Sequence, residues 1–167
     1  MDIIIDTREK DRAIKKIVST FDEKGINYES SKLFLGDYMS LDNARIVVDR
    51  KQNLSELYVN MCHEGKKGRN FENCQRFIKE LERSTKMRVG IYFLIEHGKG
   101  IECIEDVKGW YNPRLNETPY AWNGECMYKH MKMLLAKYPY IRFRFCNKSQ
   151  TGEKIIELLG GGKNASL

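Results

Sequence analysis

The stretch that decides the fold is "IVVDRKQNLSELYVNM", residues 46–61. Its first three residues are β-branched and apolar, which is typical of a buried strand, yet Asp49, Arg50 and Lys51 follow immediately. Burying charge is costly unless the charge is paired or bound to a metal ion. Because side chains alternate along a strand, Asp49 and Lys51 share one face and Arg50 points to the other. The pattern therefore predicts an acid and a base side by side at a strand end.

The rest of the chain carries further helix and strand signals on both sides of this stretch. Residues 89–96, "VGIYFLIE", form the strongest strand pattern, and residues 70–86 form an amphipathic helix pattern. Asp11 is a candidate cap for the first helix, and Gly25 is its expected end. The order β-α-β-β-β-α-α-β-α-β-α predicts an α/β fold with a mixed central sheet flanked by helices. We expect one domain over residues 1–160 and a flexible tail over residues 161–167.

Composition favours a globular protein with an anionic partner. The 167 residues are 41% hydrophobic and 31% charged, with a net charge of +6. No apolar run approaches the roughly 20 residues of a membrane helix, and no signal peptide is recognisable, so we expect an intracellular protein with no membrane partner. Five scattered cysteines argue against disulfides, and the spacing of Cys62, His63 and Cys74 fits no standard zinc site.

Two carboxylates are predicted to meet at the strand end. Asp37 begins the strand that precedes Asp49 in a hairpin, so both can point into one cleft. Close carboxylates gain from a divalent cation between them, and oxygen ligands select Mg²⁺ or Mn²⁺. A lysine beside such a cation can orient water or stabilise transition-state charge, as metal-assisted phosphodiester hydrolysis requires. Alone, this spacing also fits a surface hairpin with solvated charges.

Four motifs occur in order: "IIIDTRE" (3–9), "GDYM" (36–39), "VDRK" (48–51) and "GRNFENCQ" (68–75). Together they resemble the nuclease domain of the XPF family of structure-specific endonucleases, and the element order extends the resemblance over almost the whole chain. The resemblance implies a restriction-endonuclease-like fold, Mg²⁺ or Mn²⁺ as cofactor without a small-molecule cofactor, and branched, flap or junction DNA as partner.

The resemblance also assigns roles to individual residues. Asp37 and Asp49 match the principal metal ligands, and Lys51 matches the catalytic lysine. Asp6 and Glu9 would complete the acidic cluster, as further metal ligands and catalytic groups. A set of polar and basic residues would contact DNA: Arg8, Arg50, Lys66, Lys67, Arg69, Gln75 and Arg76.

Several alternatives remain open at this level. The family's usual Glu is Asp49 here, and a downstream Asp is replaced by Ser55, so that Glu56 either substitutes for it or the ligand is absent. Asp6 is also a candidate helix cap, and Arg8 and Arg50 are equally candidates for structural ion pairs. Four aromatic residues either pack segment 97–122 onto the domain or stack on unpaired bases: Trp110, Tyr111, Tyr120 and Trp122.

Other functions stay possible on the same residues. The chain could be a catalytically silent DNA-binding or scaffold subunit, or a nuclease directed by sequence rather than by structure. It ends without the helix-hairpin-helix or helicase modules of cellular relatives, which suggests a stand-alone phage or mobile-element protein. A homodimer is possible.

Overall fold

A computed structural model describes residues 1–62, 69–98 and 100–160, with the side chains of residues 69 and 70 left undescribed. The predicted tail at 161–167 lies outside these ranges, as do Lys66 and Lys67.

In the described part of the chain, six strands and five α-helices follow the predicted order. The strands are β1 (Asp2–Asp6), β2 (Asn27–Ser31), β3 (Tyr38–Ser40), β4 (Asn43–Lys51), β5 (Gly90–Glu96) and β6 (Ile141–Cys146). The helices are α1 (Asp11–Glu23), α2 (Leu54–Met61), α3 (Arg69–Met87), α4 (Gly124–Lys137) and α5 (Thr151–Leu159). Segment 97–122, which gave no clear sequence signal, contains two short 3₁₀ helices, Glu105–Gly109 and Pro113–Asn116.

The strands form one mixed sheet in the order β2-β1-β3-β4-β5-β6. Strand β3 is antiparallel to both β1 and β4, whereas β4, β5 and β6 run parallel. The predicted hairpin between β3 and β4 is present, with a register shift at Met39 and Ser40. The mixed α/β prediction is therefore confirmed.

Helices cover both faces of the sheet, and the alternation of side chains along β4 divides them between two cores. Val47 packs into a core with residues of α2, α3 and α4. Ile46 and Val48 pack into a second core with residues of α1 and α5. This division places the residues that continue β4 on opposite sides of the sheet, as a period of two requires.

Local signals set some of the helix ends. The Asn53 side chain accepts a hydrogen bond from the Glu56 N–H and so caps α2. Gly25 follows α1 with a φ of +64°, a conformation that glycine adopts without steric cost. The expected cap at Asp11 is wrong: the helix begins at Asp11 itself, and Lys10 precedes it without a side-chain cap. Among the described residues, no helix has the length and apolar character needed to span a membrane.

Candidate active site

The end of β4 carries three buried charged side chains, and the sheet separates them as predicted. Lys51 Nζ lies 2.5 Å from Asp49 Oδ1, on the face covered by α2 and α3. Burial acts to lower the pKa of Lys51, but the charges of Asp49 and Asp37 outweigh it and raise the pKa. Lys51 is therefore held as an ammonium ion beside two carboxylates.

Asp37 reaches the same place through the turn that precedes β3. Its N–H donates to the Val48 carbonyl at 2.8 Å, and its Oδ2 accepts from the Arg50 N–H at 2.8 Å. Gly36 has a φ of +65°, and an added Cβ would lie 3.0 Å from Val47 Cβ and from the Val48 carbonyl oxygen. Only glycine lets this turn approach β4 so closely.

The carboxylates of Asp37 and Asp49 repel one another. Burial first, and then the charge of Asp49, raise the pKa of Asp37 well above its usual value. Lys51 and the Arg50 N–H act in the opposite direction but do not cancel this effect. A cation between two such carboxylates would reduce their repulsion, and a cation at this place is what the sequence predicted.

A cavity of about 1090 Å³ opens over these residues. Its floor includes Asp37, Asp49 and Lys51, and one wall is α3. That wall presents four basic residues at helical spacing, Arg76, Lys79, Arg83 and Lys86, and two acids, Glu80 and Glu82. The cavity thus joins an acidic floor to a basic wall, an arrangement that suits a metal ion below and a polyanion above.

Glu80 belongs to the site, although the sequence analysis missed it. Its Oε1 accepts a hydrogen bond from the Gly36 N–H at 3.0 Å, and its side chain lines the cavity. Burial and the charge of Asp49 raise the pKa of Glu80. The available signal was its position three residues after Phe77, on the buried side of α3, where a carboxylate needs a partner.

Asp6 occupies a different place from the other predicted ligands. It is fully buried, it does not line the cavity, and its oxygens accept from Arg8 and from the Leu33 N–H at 2.6 Å. Burial acts to raise the pKa of Asp6, but the hydrogen bonds from Arg8 and Leu33 lower it. Asp6 therefore anchors the loop before β3, and Arg8, although it lines the cavity, is its ion-pair partner.

Glu9 and Arg50 both line the cavity, and the Glu9 carboxylate is held by Arg50 and Tyr38. Its Oε2 accepts from Arg50 at 2.8 Å and from the Tyr38 hydroxyl at 3.0 Å. Arg50 also donates to Glu96 at 3.1 Å, and Thr151 donates to the same Glu96 oxygen at 3.0 Å. Arg50 thus serves as an ion-pair partner for two carboxylates.

The four predicted metal ligands consequently do not form one cluster. Among the described residues, no group of three or more His, Cys, Asp or Glu side chains is arranged to hold a metal ion. Asp37 and Asp49 face the cavity together, whereas Asp6 and Glu9 are engaged by arginines. Glu56 lines the cavity, but its carboxylate accepts from the Gln52 N–H at 2.8 Å at the start of α2.

Of the predicted DNA contacts on and before α3, some lie at the cavity and others do not. Arg76 is exposed and lines the cavity, whereas Gln75 is exposed but does not line it. Arg69 begins α3, with its side chain outside the described atoms, and Lys66 and Lys67 are not described at all. In segment 97–122, Trp110 is buried and Trp122 packs against Tyr58 and His130.

Comparisons with known proteins agree with the fold. Two solved structures, XPF from Aeropyrum pernix and XPF from Aeropyrum pernix in complex with DNA, both align with a TM-score of 0.60, at 19% and 18% identity. The alignments cover 98% and 99% of this chain but only 62% and 66% of the XPF chains. No curated protein matches the sequence.

A family model for the ERCC4 domain matches residues 5–153. This range includes three of the four motifs in full, the first motif from Ile5 onward, and all the cavity residues named above. The resemblance inferred from the motifs is confirmed: this chain belongs to the ERCC4 domain family.

Proposed function

We propose that this protein is a Mg²⁺- or Mn²⁺-dependent endonuclease that hydrolyses phosphodiester bonds in branched or flap DNA. One observation carries the proposal: Asp37, Asp49 and Lys51 meet on the floor of a cavity whose wall is a basic helix face. The ERCC4 membership and the likeness to an XPF structure in complex with DNA support it.

The residues present fit a divalent cation. The raised pKa of Asp37 has burial as its first cause and the Asp49 charge as its second, and a bound cation would relieve the repulsion between the two carboxylates. Asp37 and Asp49 would hold the ion, with Glu80 beside them. When bound, such an ion polarises a phosphoryl oxygen and lowers the pKa of coordinated water.

The chain's own groups supply the rest of the chemistry. Lys51, kept charged by Asp49 and Asp37, is placed to stabilise the negative charge that grows on the phosphoryl oxygens. Arg76 and Lys86, at opposite ends of the basic wall, bind the DNA backbone and fix the scissile phosphate over the floor. Arg50 positions the site, because its N–H binds Asp37 while its guanidinium stays with Glu9 and Glu96.

Cleavage of end-labelled linear duplex, flap and four-way junction DNA, with Mg²⁺ or with EDTA, tests this function. We expect metal-dependent cutting of the branched substrates, and loss of cutting in EDTA. Cutting of linear duplex at a fixed position would instead indicate a sequence-directed nuclease. Binding of DNA without cutting in Mg²⁺ or Mn²⁺ would indicate a catalytically silent subunit.

A readout independent of activity tests the metal site itself. A ligand at 100 times its Kd stabilises a folded protein by about 2.7 kcal/mol, so Mn²⁺ should raise the melting temperature of the wild type. Asp49→Asn should remove most of that shift. Asp42→Asn is the matched control, because Asp42 is exposed in the turn between β3 and β4 and does not line the cavity.

A further inference from the structure

An exposed aromatic side chain lies close to the proposed active site. Phe34 stands in the segment between β2 and β3, three residues before Asp37, and 62% of its surface is exposed. Its neighbours Leu33 and Leu35 are 8% and 4% exposed. The chain therefore places Phe34 in solvent while burying the residue on either side of it.

The backbone around Phe34 is fixed. The Leu33 N–H donates to Asp6 at 2.6 Å, and the Gly36 N–H donates to Glu80 at 3.0 Å. Leu35 packs into the core beneath α2 and α3. The anchored backbone on both sides therefore fixes the place at which the Phe34 side chain is exposed.

Arg83 connects this ring to the cavity. Its guanidinium carbon lies 4.9 Å from the centre of the Phe34 ring, a cation–π contact. Arg83 lines the cavity, and its charge acts on Glu80, whose own pKa responds to Asp49. Within the described residues, the buried Nε of Arg83 has no hydrogen-bond partner. The ring is thus in contact with a residue that lines the cavity.

A flat ring next to a cation suits one feature of nucleic acids. Bases in continuous duplex are stacked on each other, so their faces are not available to a protein side chain. An unpaired base at a flap or branch offers its face, and stacking on aromatic side chains is tolerant of sequence. The guanidinium of Arg83 can meanwhile contact the adjoining phosphate.

We propose that Phe34 is a stacking platform for an unpaired base next to the scissile phosphate, and that it makes this protein prefer DNA with unpaired nucleotides over continuous duplex. The proposal rests on the proposed function, and it adds the residue that distinguishes the two kinds of substrate. Arg83 is the positioning residue that holds the ring and the phosphate together.

The test uses flap DNA that carries 2-aminopurine in its unpaired strand, bound to the full chain in EDTA so that no cleavage occurs. We expect binding to quench the fluorescence of the wild-type complex and of Phe34→Trp. Phe34→Leu keeps apolar bulk but removes the ring, so quenching should be lost and affinity for the flap should fall about tenfold. Affinity for continuous duplex should change less than about twofold.

Leu41→Ala is the matched control, because Leu41 is 56% exposed at the far end of β3 and does not line the cavity. It should bind flap DNA and quench like the wild type. Equal quenching and equal flap affinity in Phe34→Leu and the wild type would overturn the stacking platform, as would equal losses on flap and duplex. Stacking without cleavage in Mg²⁺ would support the platform while contradicting the endonuclease proposal.

Discussion

The charged side chains on the two faces of β4 have different surroundings. On the face toward α1 and α5, Arg50 is paired with Glu9 and Glu96, and its side chain is 2% exposed. On the face toward α2 and α3, Lys51 stands beside Asp49 and Asp37, with Glu80 as a third acid, under an open cavity.

The difference separates a structural use of charge from a chemical one. On the first face, the two carboxylates share Arg50 and also accept from the hydroxyls of Tyr38 and Thr151. Such a buried network is costly to break and therefore fixes the positions of its members. An excess of carboxylates is costly to keep, and a fold retains it where a cation or a reaction needs it. Arg50 and Lys51 are consecutive residues of β4. The ion pairs of Arg50 therefore help to fix the position of Lys51 and of the carboxylates beside it.

Asp49→Asn is expected to have the largest effect on activity. Removing a metal-binding carboxylate should reduce the single-turnover rate of flap cleavage by about 10²–10³-fold, the size of loss seen when one electrostatic group of an active site is removed. DNA binding in EDTA should stay within about threefold, because the basic wall is untouched. Retained cleavage by Asp49→Asn would contradict the proposed metal-binding role of Asp49.

Arg50→Met should produce the largest loss of stability. It leaves Glu9 and Glu96 buried without their cation, which typically costs about 3–5 kcal/mol. Urea unfolding measures the change. Arg45→Met, at an exposed arginine of the same strand β4, should shift stability by no more than about 0.5 kcal/mol. Equal losses in the two variants would mean that the paired face is no more structural than the surface.

The variants Gly36→Ala and Gly25→Ala compare two glycines that have the same backbone conformation. A Cβ at Gly36 meets Val47 and Val48 at 3.0 Å, whereas a Cβ at Gly25, with a φ of +64°, meets nothing within 4 Å. Gly25→Ala should therefore cost only the left-handed backbone penalty of about 1–2 kcal/mol. Gly36→Ala should cost more in urea unfolding and should also lower cleavage, because it displaces Asp37. Cleavage by Gly36→Ala at the wild-type rate would show that Asp37 does not depend on this close approach.

Asp6→Asn should cost less stability than Arg50→Met. Loss of the charge-assisted hydrogen bonds from Arg8 and Leu33 should lower stability at neutral pH by about 1.5–3 kcal/mol. The pKa of Asp6 is lowered from its usual 3.8, so its contribution is present above that pH and is lost as the pH falls through the folded-state pKa. Wild type and variant should therefore converge in stability in acid, as urea unfolding across pH would measure.

The same variant discriminates between anchoring and metal binding. If Asp6 only anchors the loop before β3, the thermal shift caused by Mn²⁺ should survive in Asp6→Asn. Its disappearance would restore Asp6 to the metal ligands that the motif resemblance assigned.

The sequence by itself determined the order of the elements and the arrangement of charges along β4. Periodicity of two is a local property, so it placed Asp49 and Lys51 together and Arg50 opposite them without knowledge of the fold. The hairpin and the glycine before Asp37 are equally local, which is why Asp37 was placed correctly beside β4. Segment 97–122 and the start of α1 had no comparably strong local pattern.

Only the tertiary structure decided which charges are partners. Glu80 meets the Gly36 N–H across 44 residues, Arg50 meets Glu96 across 46, and Asp6 meets Leu33 across 27. Such contacts depend on how α3 packs over the sheet and on where the loop before β3 closes. The sequence does not show whether a carboxylate binds a metal ion, an arginine or a backbone N–H. Its role depends on which group the packing of the chain brings within about 3 Å of it.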